Sequence, residues 1–326
     1  MNEMLSRLMK EHIKVDIAKM RKENFLQVQI EYASKTLDRV MKMHGRKDVP
    51  ACPLCGSSES TEELERSGSP LLKCGCCELR FHGKIPADVN DVYQNPELIV
   101  YPMDDTDDHY NYRRDRFGRE RVRLLERHCG DLSNKKILDV GCGNGYFLSA
   151  LKETGAKCMG AEFSDKWRKF TIEKTGLPVY AEPLENFPEK DFDIITLLDV
   201  IEHVEKPVPF IESVRNLLKL KGHVLIYTPN VDSFSLQVMG KYSNNIDPSE
   251  HLILFCCRSL EYLGKITGFK IIHSETRGLD IHSILAYQNY IEEKKDLFLV
   301  KWVEELQAMI DASGSGDYIR VIFEKI

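Results

Sequence analysis

Beyond about residue 130, short apolar runs alternate with stretches whose apolar residues recur at helical spacing. The apolar runs predict strands at residues 137–140, 157–163, 179–181, 192–199, 222–228, 269–276 and 318–325. Helices are predicted between them, from residue 146 onward and at residues 165–175, 209–219 and 258–267. Such alternation predicts an α/β fold with a doubly wound, mostly parallel, seven-stranded sheet, in which ligands bind at the carboxyl ends of the strands.

The chain before this sheet is patterned differently. Apolar residues at helical spacing, among them Leu8, Ile13 and Ile17, predict amphipathic N-terminal helices. Residues 83–112 look irregular, and the arginine-rich residues 112–129 predict a helix that leads into the main domain. We therefore expect four parts: a helical segment (1–48), a cysteine module (49–83), a linker with its lead-in helix (84–128) and the main domain (129–326).

Composition narrows the class of protein. Of 326 residues 42% are hydrophobic and 29% charged, which is ordinary for a globular chain. A formal net charge of −6 argues against a protein that coats nucleic acid, so a nucleic-acid partner is not expected. No apolar run approaches the roughly 18 residues that a membrane span needs, and the N-terminus lacks an apolar signal core. We expect a cytoplasmic location.

Two cysteine pairs indicate a metal site. Cys52 and Cys55 form one C-x₂-C pair, Cys74 and Cys77 form the other, and 18 residues separate the pairs. This spacing is typical of a tetrahedral structural Zn²⁺ site, which in an intracellular protein is favoured over disulfides. Cys76 is the alternative ligand within the second pair.

A glycine-rich turn after the first predicted strand indicates a nucleotide-like ligand. Residues 139–145 read DVGCGNG, and glycine lets the backbone approach a ligand closely. A dinucleotide site would require a third glycine where Tyr146 stands. Asp139 would also repel a pyrophosphate, whereas it suits a sulfonium or an amino group.

Glu162 further restricts the kinds of ligand that are expected. It follows the second predicted strand, about 20 residues beyond the turn, where an acid can accept hydrogen bonds from both hydroxyls of a ribose. A ligand with a ribose, a positive centre and no phosphate fits S-adenosylmethionine.

Three segments resemble a known family. Residues 138–145, LDVGCGNG, resemble the first motif of class I S-adenosylmethionine-dependent methyltransferases, which have a Rossmann-like sheet. Residues 192–204, FDIITLLDVIEHV, and 221–230, KGHVLIYTPN, resemble the fourth- and fifth-strand motifs of the branch that contains ubiquinone-biosynthesis O-methyltransferases. The resemblance covers about residues 110–326.

The resemblance implies positions for the cofactor. It places the methionine end beside Asp139, Gly141, Cys142 and Gly143, and the ribose beside Glu162. It places the adenine beside Phe163 and Leu184, and the sulfonium beside Leu198, Asp199 and Val200.

Two histidines are candidates for a catalytic base. Deprotonation of a hydroxyl acceptor requires a base with a pKa near neutral, usually a histidine. His203 and His251 both fall in motif segments at the carboxyl side of the sheet. A buried structural histidine is the alternative for His203.

The expected function is methyl transfer to a small-molecule acceptor, such as a hydroxyl of a sugar, a lipid-linked compound or a secondary metabolite. One alternative is an RNA methyltransferase whose cysteine module binds RNA, which predicts a steep salt dependence. Another is a partner protein that binds the cofactor without turnover. Apolar residues in segment 280–312, together with the N-terminal helices, predict a homodimer interface.

Overall fold

The computed structural model describes residues 3–20, 39–40, 42–43, 45–89 and 106–326. Much of the predicted amphipathic N-terminal segment, residues 21–38, lies outside this range. So does most of the predicted irregular stretch, residues 90–105. Among the described residues, no helix is long and apolar enough to cross a membrane.

The helices and strands are as follows. The α-helices are α1 (Glu3–Glu11), α2 (Ile17–Met20), α3 (Asp107–Arg113), α4 (Arg119–Cys129), α5 (Tyr146–Lys152), α6 (Asp165–Thr175), α7 (Pro207–Leu217), α8 (Phe234–Met239), α9 (Cys257–Ile266), α10 (Asp280–Tyr290), α11 (Leu297–Lys301) and α12 (Val303–Ala312). The strands are β1 (Arg46–Asp48), β2 (Ser60–Arg66), β3 (Ser69–Cys74), β4 (Arg80–His82), β5 (Lys84–Pro86), β6 (Lys136–Val140), β7 (Lys157–Ala161), β8 (Val179–Tyr180), β9 (Phe192–Leu198), β10 (Leu218–Pro229), β11 (Ile253–Leu254), β12 (Phe269–Arg277) and β13 (Tyr318–Lys325).

The chain falls into two compact units. Of the described residues, those within 1–87, 228–259 and 274–320 form the first unit, and those within 88–227, 260–273 and 321–326 form the second.

The central strands of a seven-stranded sheet form the core of the second unit. The strand order is β12-β13-β10-β9-β6-β7-β8. Strand β6 pairs in parallel with β7 and β9, while β7 pairs in parallel with β8, and β9 with β10. Ile137, Ile194 and Ile226 are fully buried, as expected for strands covered on both faces. The predicted seven-stranded, mostly parallel sheet is confirmed.

The predicted boundary between the helix that ends at residue 219 and the strand that begins at residue 222 was wrong. Helix α7 ends at Leu217, two residues before the predicted end, because Leu218 already pairs with Phe192 as part of β10. The pairing register then shifts before His223, beside a left-handed Lys221 at φ 63°. Helical spacing alone does not reveal where pairing with a neighbouring strand begins.

The residues predicted to be irregular contain regular structure at both ends. Strand β5 pairs with β1 in antiparallel register, and α3 begins at Asp107. A three-residue strand and a seven-residue helix are too short to produce a recognisable periodic pattern, so sequence reasoning missed both.

The first unit contains a four-stranded sheet built around the cysteine pairs. Its order is β11-β4-β3-β2, and β2, β3 and β4 pair in antiparallel register. The edge strand β11 comes from residues far along the chain and pairs with β4 through Ile253 and Phe81. In the same unit α1 packs near α12, where the His12 Nε2 lies 2.8 Å from the Glu304 carboxylate.

Candidate functional site

The glycine turn after β6 is too tight for larger residues. Gly141, Gly143 and Gly145 have φ values of 65°, 51° and 77°, a region that favours glycine. A Cβ on Gly141 would lie 2.7 Å from the Val200 Cγ2, well inside contact distance. The turn therefore runs directly against the end of β9.

Asp139 lies at the buried base of this turn. Its side chain is 2% exposed, and its Oδ1 accepts a hydrogen bond from the Thr196 hydroxyl at 2.6 Å. Burial raises the pKa of Asp139 to about 7, although Thr196 and the charge of Arg121 oppose the shift. A carboxyl with a pKa near neutral ionises readily beside a cationic ligand.

The structure brings Glu162 to the glycine turn. Its Oε2 accepts a hydrogen bond from the Gly143 N–H at 2.9 Å, and its Oε1 accepts one from the Ser164 N–H at 2.8 Å. Burial raises the pKa of Glu162, while both backbone hydrogen bonds lower it. Each carboxylate oxygen retains a second lone pair for a ligand hydroxyl.

The residues predicted to lie beside the adenine differ in exposure. Phe163 follows Glu162 and is 59% exposed, which is unusual for so large an apolar side chain. Leu184 is buried at the start of a 3₁₀ helix, Leu184–Asn186.

Cys142 differs from the other predicted cofactor residues in where its side chain lies. The residue is buried, and a Cβ on Gly160 would lie 2.7 Å from the Cys142 Sγ. The thiol therefore packs into the core against β7, so only the backbone of Cys142 is available to a ligand at the turn.

The end of β9 carries a backbone conformation that points to function. Asp199 is exposed and has φ 56°, which is uncommon for a residue other than glycine. Its N–H donates a hydrogen bond to the Tyr227 carbonyl at 2.9 Å, which holds it in place. Strained residues of this kind cluster at functional sites. Leu198 and Val200, on either side, are partly buried.

Arg121 is a residue that sequence reasoning missed. Its guanidinium lies 4.4 Å from the centre of the Tyr227 ring and donates a hydrogen bond to the Tyr146 hydroxyl. The side chain is 5% exposed, and the charges of Tyr146, Tyr227 and Asp199 raise its pKa against the effect of burial. Arg121 precedes the buried Leu125 by one helical turn, a spacing that could have identified it.

His203 ends the short 3₁₀ helix that follows β9. Its side chain is 22% exposed, and its Nε2 lies 4.0 Å from the carboxylate of Glu202, which is fully buried. The ring is therefore partly accessible at the carboxyl end of a central strand, beside an acid that can orient it.

His251, in the first unit, is held by its own loop. Its Nδ1 lies 3.0 Å from the Asn245 carbonyl oxygen. A carbonyl only accepts, so Nδ1 carries the proton and Nε2 keeps its lone pair. Burial lowers the pKa of His251 to about 4, and the Asn245 hydrogen bond opposes this shift. The ring is therefore neutral at pH 7.

The four predicted cysteines meet in the first unit. The Cys52 and Cys77 sulfurs are 3.5 Å apart, the Cys55 and Cys74 sulfurs are 3.4 Å apart, and all four lie within 4.8 Å of one another. Tetrahedral zinc with bonds of about 2.3 Å requires sulfurs roughly 3.8 Å apart, so the set fits this ion. Cys76, the alternative ligand, is exposed and lies outside the cluster.

Comparison with known proteins places the chain in a family. A family model described as "Methyltransferase domain" matches residues 110–274, just over half of the chain. The ubiquinone biosynthesis O-methyltransferase of Acinetobacter baylyi is 31% identical over 34% of this chain and 50% of its own. That of Leptothrix cholodnii is 29% identical over 50% of this chain and 75% of its own. The chain spans about half the length of the first of these relatives.

Solved structures of similar fold include a SAM dependent methyltransferase from Archaeoglobus fulgidus. It is 21% identical, with a TM-score of 0.45, over 64% of this chain and 94% of that chain. The family match covers the glycine turn, Glu162 and the His203 segment. The chain therefore belongs to the methyltransferase-domain family, as the motifs of its first, fourth and fifth sheet strands predicted.

Proposed function

We propose that this chain transfers a methyl group from S-adenosylmethionine to a hydroxyl of a small-molecule acceptor. The observation that carries the proposal is the hydrogen bond between the Gly143 N–H and the Glu162 carboxylate, at 2.9 Å. This hydrogen bond connects the glycine turn, which can approach a ligand closely, with an acid that can hold a ribose. Membership of the methyltransferase-domain family supports this assignment.

The residues at the turn fit this cofactor, which supplies a methyl group already activated on a sulfonium. Asp139, together with the backbone of Gly141, Cys142 and Gly143, would hold the methionine end. Burial keeps the pKa of Asp139 near 7, so a ligand amino group favours its ionised form.

The remaining cofactor contacts follow the strand ends. Glu162 would accept the ribose hydroxyls, and the exposed ring of Phe163 would flank the adenine together with Leu184. Leu198, Asp199 and Val200 would lie beside the sulfonium.

A hydroxyl acceptor is supported by the relatives, whose names specify O-methylation. We propose a hydroxyl of a sugar, a lipid-linked compound or a secondary metabolite. His203 or His251 would remove its proton, a role that typically contributes about 10²–10⁴-fold to the rate. Burial keeps His251 neutral at pH 7, as a base must be before it accepts a proton, but its pKa of about 4 lies below the near-neutral value that suits this role best.

We also propose that Cys52, Cys55, Cys74 and Cys77 hold one structural Zn²⁺. The sulfur positions support it. A site closed by four thiolates leaves no position for a reacting group, so the module's role is structural.

Two measurements test the function. Isothermal titration should show binding of S-adenosylmethionine and S-adenosylhomocysteine but not of NAD⁺. Labelled S-adenosylmethionine, incubated with sugars, polyprenyl phenols, catechols and total RNA in parallel, should then transfer label to a small hydroxyl compound. No cofactor binding would contradict the proposal. Label transfer to RNA alone would favour the RNA alternative, whereas tight binding without turnover on any acceptor would favour a non-catalytic partner protein.

The homodimer remains a proposal. Leu297, Phe298 and Val300, in the predicted interface segment, are 78%, 64% and 59% exposed, which supports an apolar contact there. A monomeric mass in light scattering would exclude it.

A further inference from the structure

The loop that carries His251 is closed by its own hydrogen bonds. The Ser243 carbonyl accepts from the Ile246 N–H at 3.2 Å. The Asp247 carbonyl accepts from the N–H of Glu250 at 3.1 Å and of His251 at 2.8 Å. With the bond from His251 Nδ1 to the Asn245 carbonyl, the loop from 243 to 251 forms two consecutive turns that fold back on the ring. The orientation of the ring therefore depends on where this loop is anchored.

The cysteine module supplies the anchor at the start of the loop. Strands β2 and β3 form a hairpin in which Ser60 pairs with Cys74 at one end and Arg66 pairs with Ser69 at the other. Six residue steps along a strand span about 20 Å, so the hairpin reaches from the four-cysteine cluster to the loop. There the partly buried Arg66 donates a hydrogen bond to the Ser243 carbonyl.

The module also holds the other end of the loop. The His82 N–H, in β4, donates to the Leu252 carbonyl at 3.0 Å. The next residue, Ile253, pairs with Phe81 as strand β11. His251 therefore lies between two attachments to the same small sheet, one made by a side chain and one by backbone.

Arg66 is linked to the ring through two residues. The Ser243 carbonyl accepts from Arg66, and the Ser243 hydroxyl accepts from the Asn245 N–H at 3.3 Å. Asn245 in turn presents its carbonyl to His251 Nδ1. A hydrogen bond from a charged donor is about twice as strong as a neutral one, so we expect the bond from Arg66 to Ser243 to be the strongest in this series.

We propose that Arg66 is a positioning residue. Through Ser243 and Asn245 it holds the loop so that the His251 ring keeps its proton on Nδ1 and a fixed orientation. That this orientation serves the acceptor rests on the proposed function, whereas the effect of Arg66 on the ring does not.

Nitrogen NMR of histidine-labelled protein tests the effect on the ring directly. Wild-type protein should show His251 as the single Nδ1–H tautomer, assigned by the loss of its signals in His251→Asn. Arg66→Met removes the donor and keeps the apolar stem, and should shift both ring nitrogens toward an exchange average of two tautomers. Arg66→Lys still donates one hydrogen bond and should restore the wild-type signals.

Arg258→Met is the matched control. Arg258 also bridges the module to residues 228–259, through an ion pair with Glu78, but it does not hydrogen-bond to the loop. Its removal should leave the His251 signals unchanged. An Nε2–H tautomer in wild type, or unchanged signals in Arg66→Met, would overturn the proposal. So would an equal change in Arg258→Met.

Two further measurements separate positioning from general stability. Hydrogen exchange at the Ile246 and His251 amides should become about 10- to 100-fold faster in Arg66→Met, the loss expected for a hydrogen bond to a charged donor. Zinc content and S-adenosylmethionine affinity should stay at wild-type values, while kcat falls. If no acceptor supports turnover but the tautomer responds as stated, the proposed function fails and the positioning role stands.

Discussion

The carboxylate of Glu162 accepts a hydrogen bond from the Gly143 N–H at 2.9 Å, so the acid after the second sheet strand holds the glycine turn after the first. The two residues are 19 positions apart in the chain. Adjacent parallel strands, β6 and β7, bring them to the same edge of the sheet. One side chain thus shapes the turn and keeps lone pairs free for a ligand.

Replacing Glu162 by glutamine should weaken S-adenosylmethionine binding about 10- to 100-fold, since hydrogen bonds to a charged acceptor are lost at both the ribose and the turn. Isothermal titration measures the change. Glu173→Gln, on the exposed face of α6, is the matched control and should bind normally. Equal affinities for the two variants would remove Glu162 from the cofactor site.

Asp139 should make stability depend on pH. Burial raises the pKa of Asp139 from 3.8 to about 7, so the folded protein holds its proton more tightly than the unfolded chain does. Its contribution to the free energy of unfolding is full below about pH 4 and falls by up to about 4 kcal/mol as the pH rises to 7. Asp139→Asn lacks this titration, so its stability relative to wild type should increase across that window.

Urea unfolding of both proteins between pH 4.5 and 8 measures this difference. Thr196→Val serves as a second variant, because the Thr196 hydroxyl lowers the pKa of Asp139 and its loss should move the window to higher pH. A stability difference that does not change with pH would show that Asp139 is not the titrating group.

Gly141→Ala should be more damaging than Gly155→Ala. Both glycines have positive φ, 65° and 79°, so both variants carry backbone strain of about 1–2 kcal/mol. Only at position 141 would the added Cβ meet a side chain within 3 Å, the Val200 Cγ2 at 2.7 Å. Thermal unfolding and S-adenosylmethionine titration should show the larger loss for Gly141→Ala. Equal losses would mean that the turn can relax away from β9.

Metal analysis should find about one zinc per chain. Cys55→Ser should lose the metal and lower the melting temperature, since one of four thiolates is gone. Cys76→Ser should keep it, because Cys76 is exposed and outside the cluster. The reverse result would show that the second pair binds through Cys76 instead.

His203→Asn and His251→Asn separate the two candidate bases. Removal of the base should lower kcat by about 10²–10⁴-fold while the dissociation constant of S-adenosylmethionine stays within about twofold. His223→Asn, which removes a histidine lying 3.7 Å from Glu324, is the control. Steady-state release of S-adenosylhomocysteine gives the rates. If neither variant loses activity, the base is a different group.

Some of this protein could be predicted because the information is local. The run before Asp139 and the glycines after it specify a strand and a turn that only small residues can adopt. The spacing of the two cysteine pairs likewise places two thiolates on each of two tight turns. The seven-stranded sheet followed from the alternation of such segments, and the structure confirms it.

Other features depended on contacts between distant residues. The inward position of Arg121 could have been inferred from its helical spacing to Leu125, but its packing on the Tyr227 ring could not. Strand β11 is two residues long and pairs with β4 through Ile253 and Phe81, which lie about 170 positions apart in the sequence. A strand that short has no pattern of its own.

The sequence by itself determined the fold class, the glycine turn with its two acids, and the four cysteines that can share one metal. Only the tertiary structure decided that Glu162 binds the turn at Gly143 and that Arg66 of the cysteine module anchors the loop of His251. The physical reason is that dihedral preferences and hydrophobic periodicity act over a few residues. A hydrogen bond between distant residues forms only when packing of the whole chain brings donor and acceptor together.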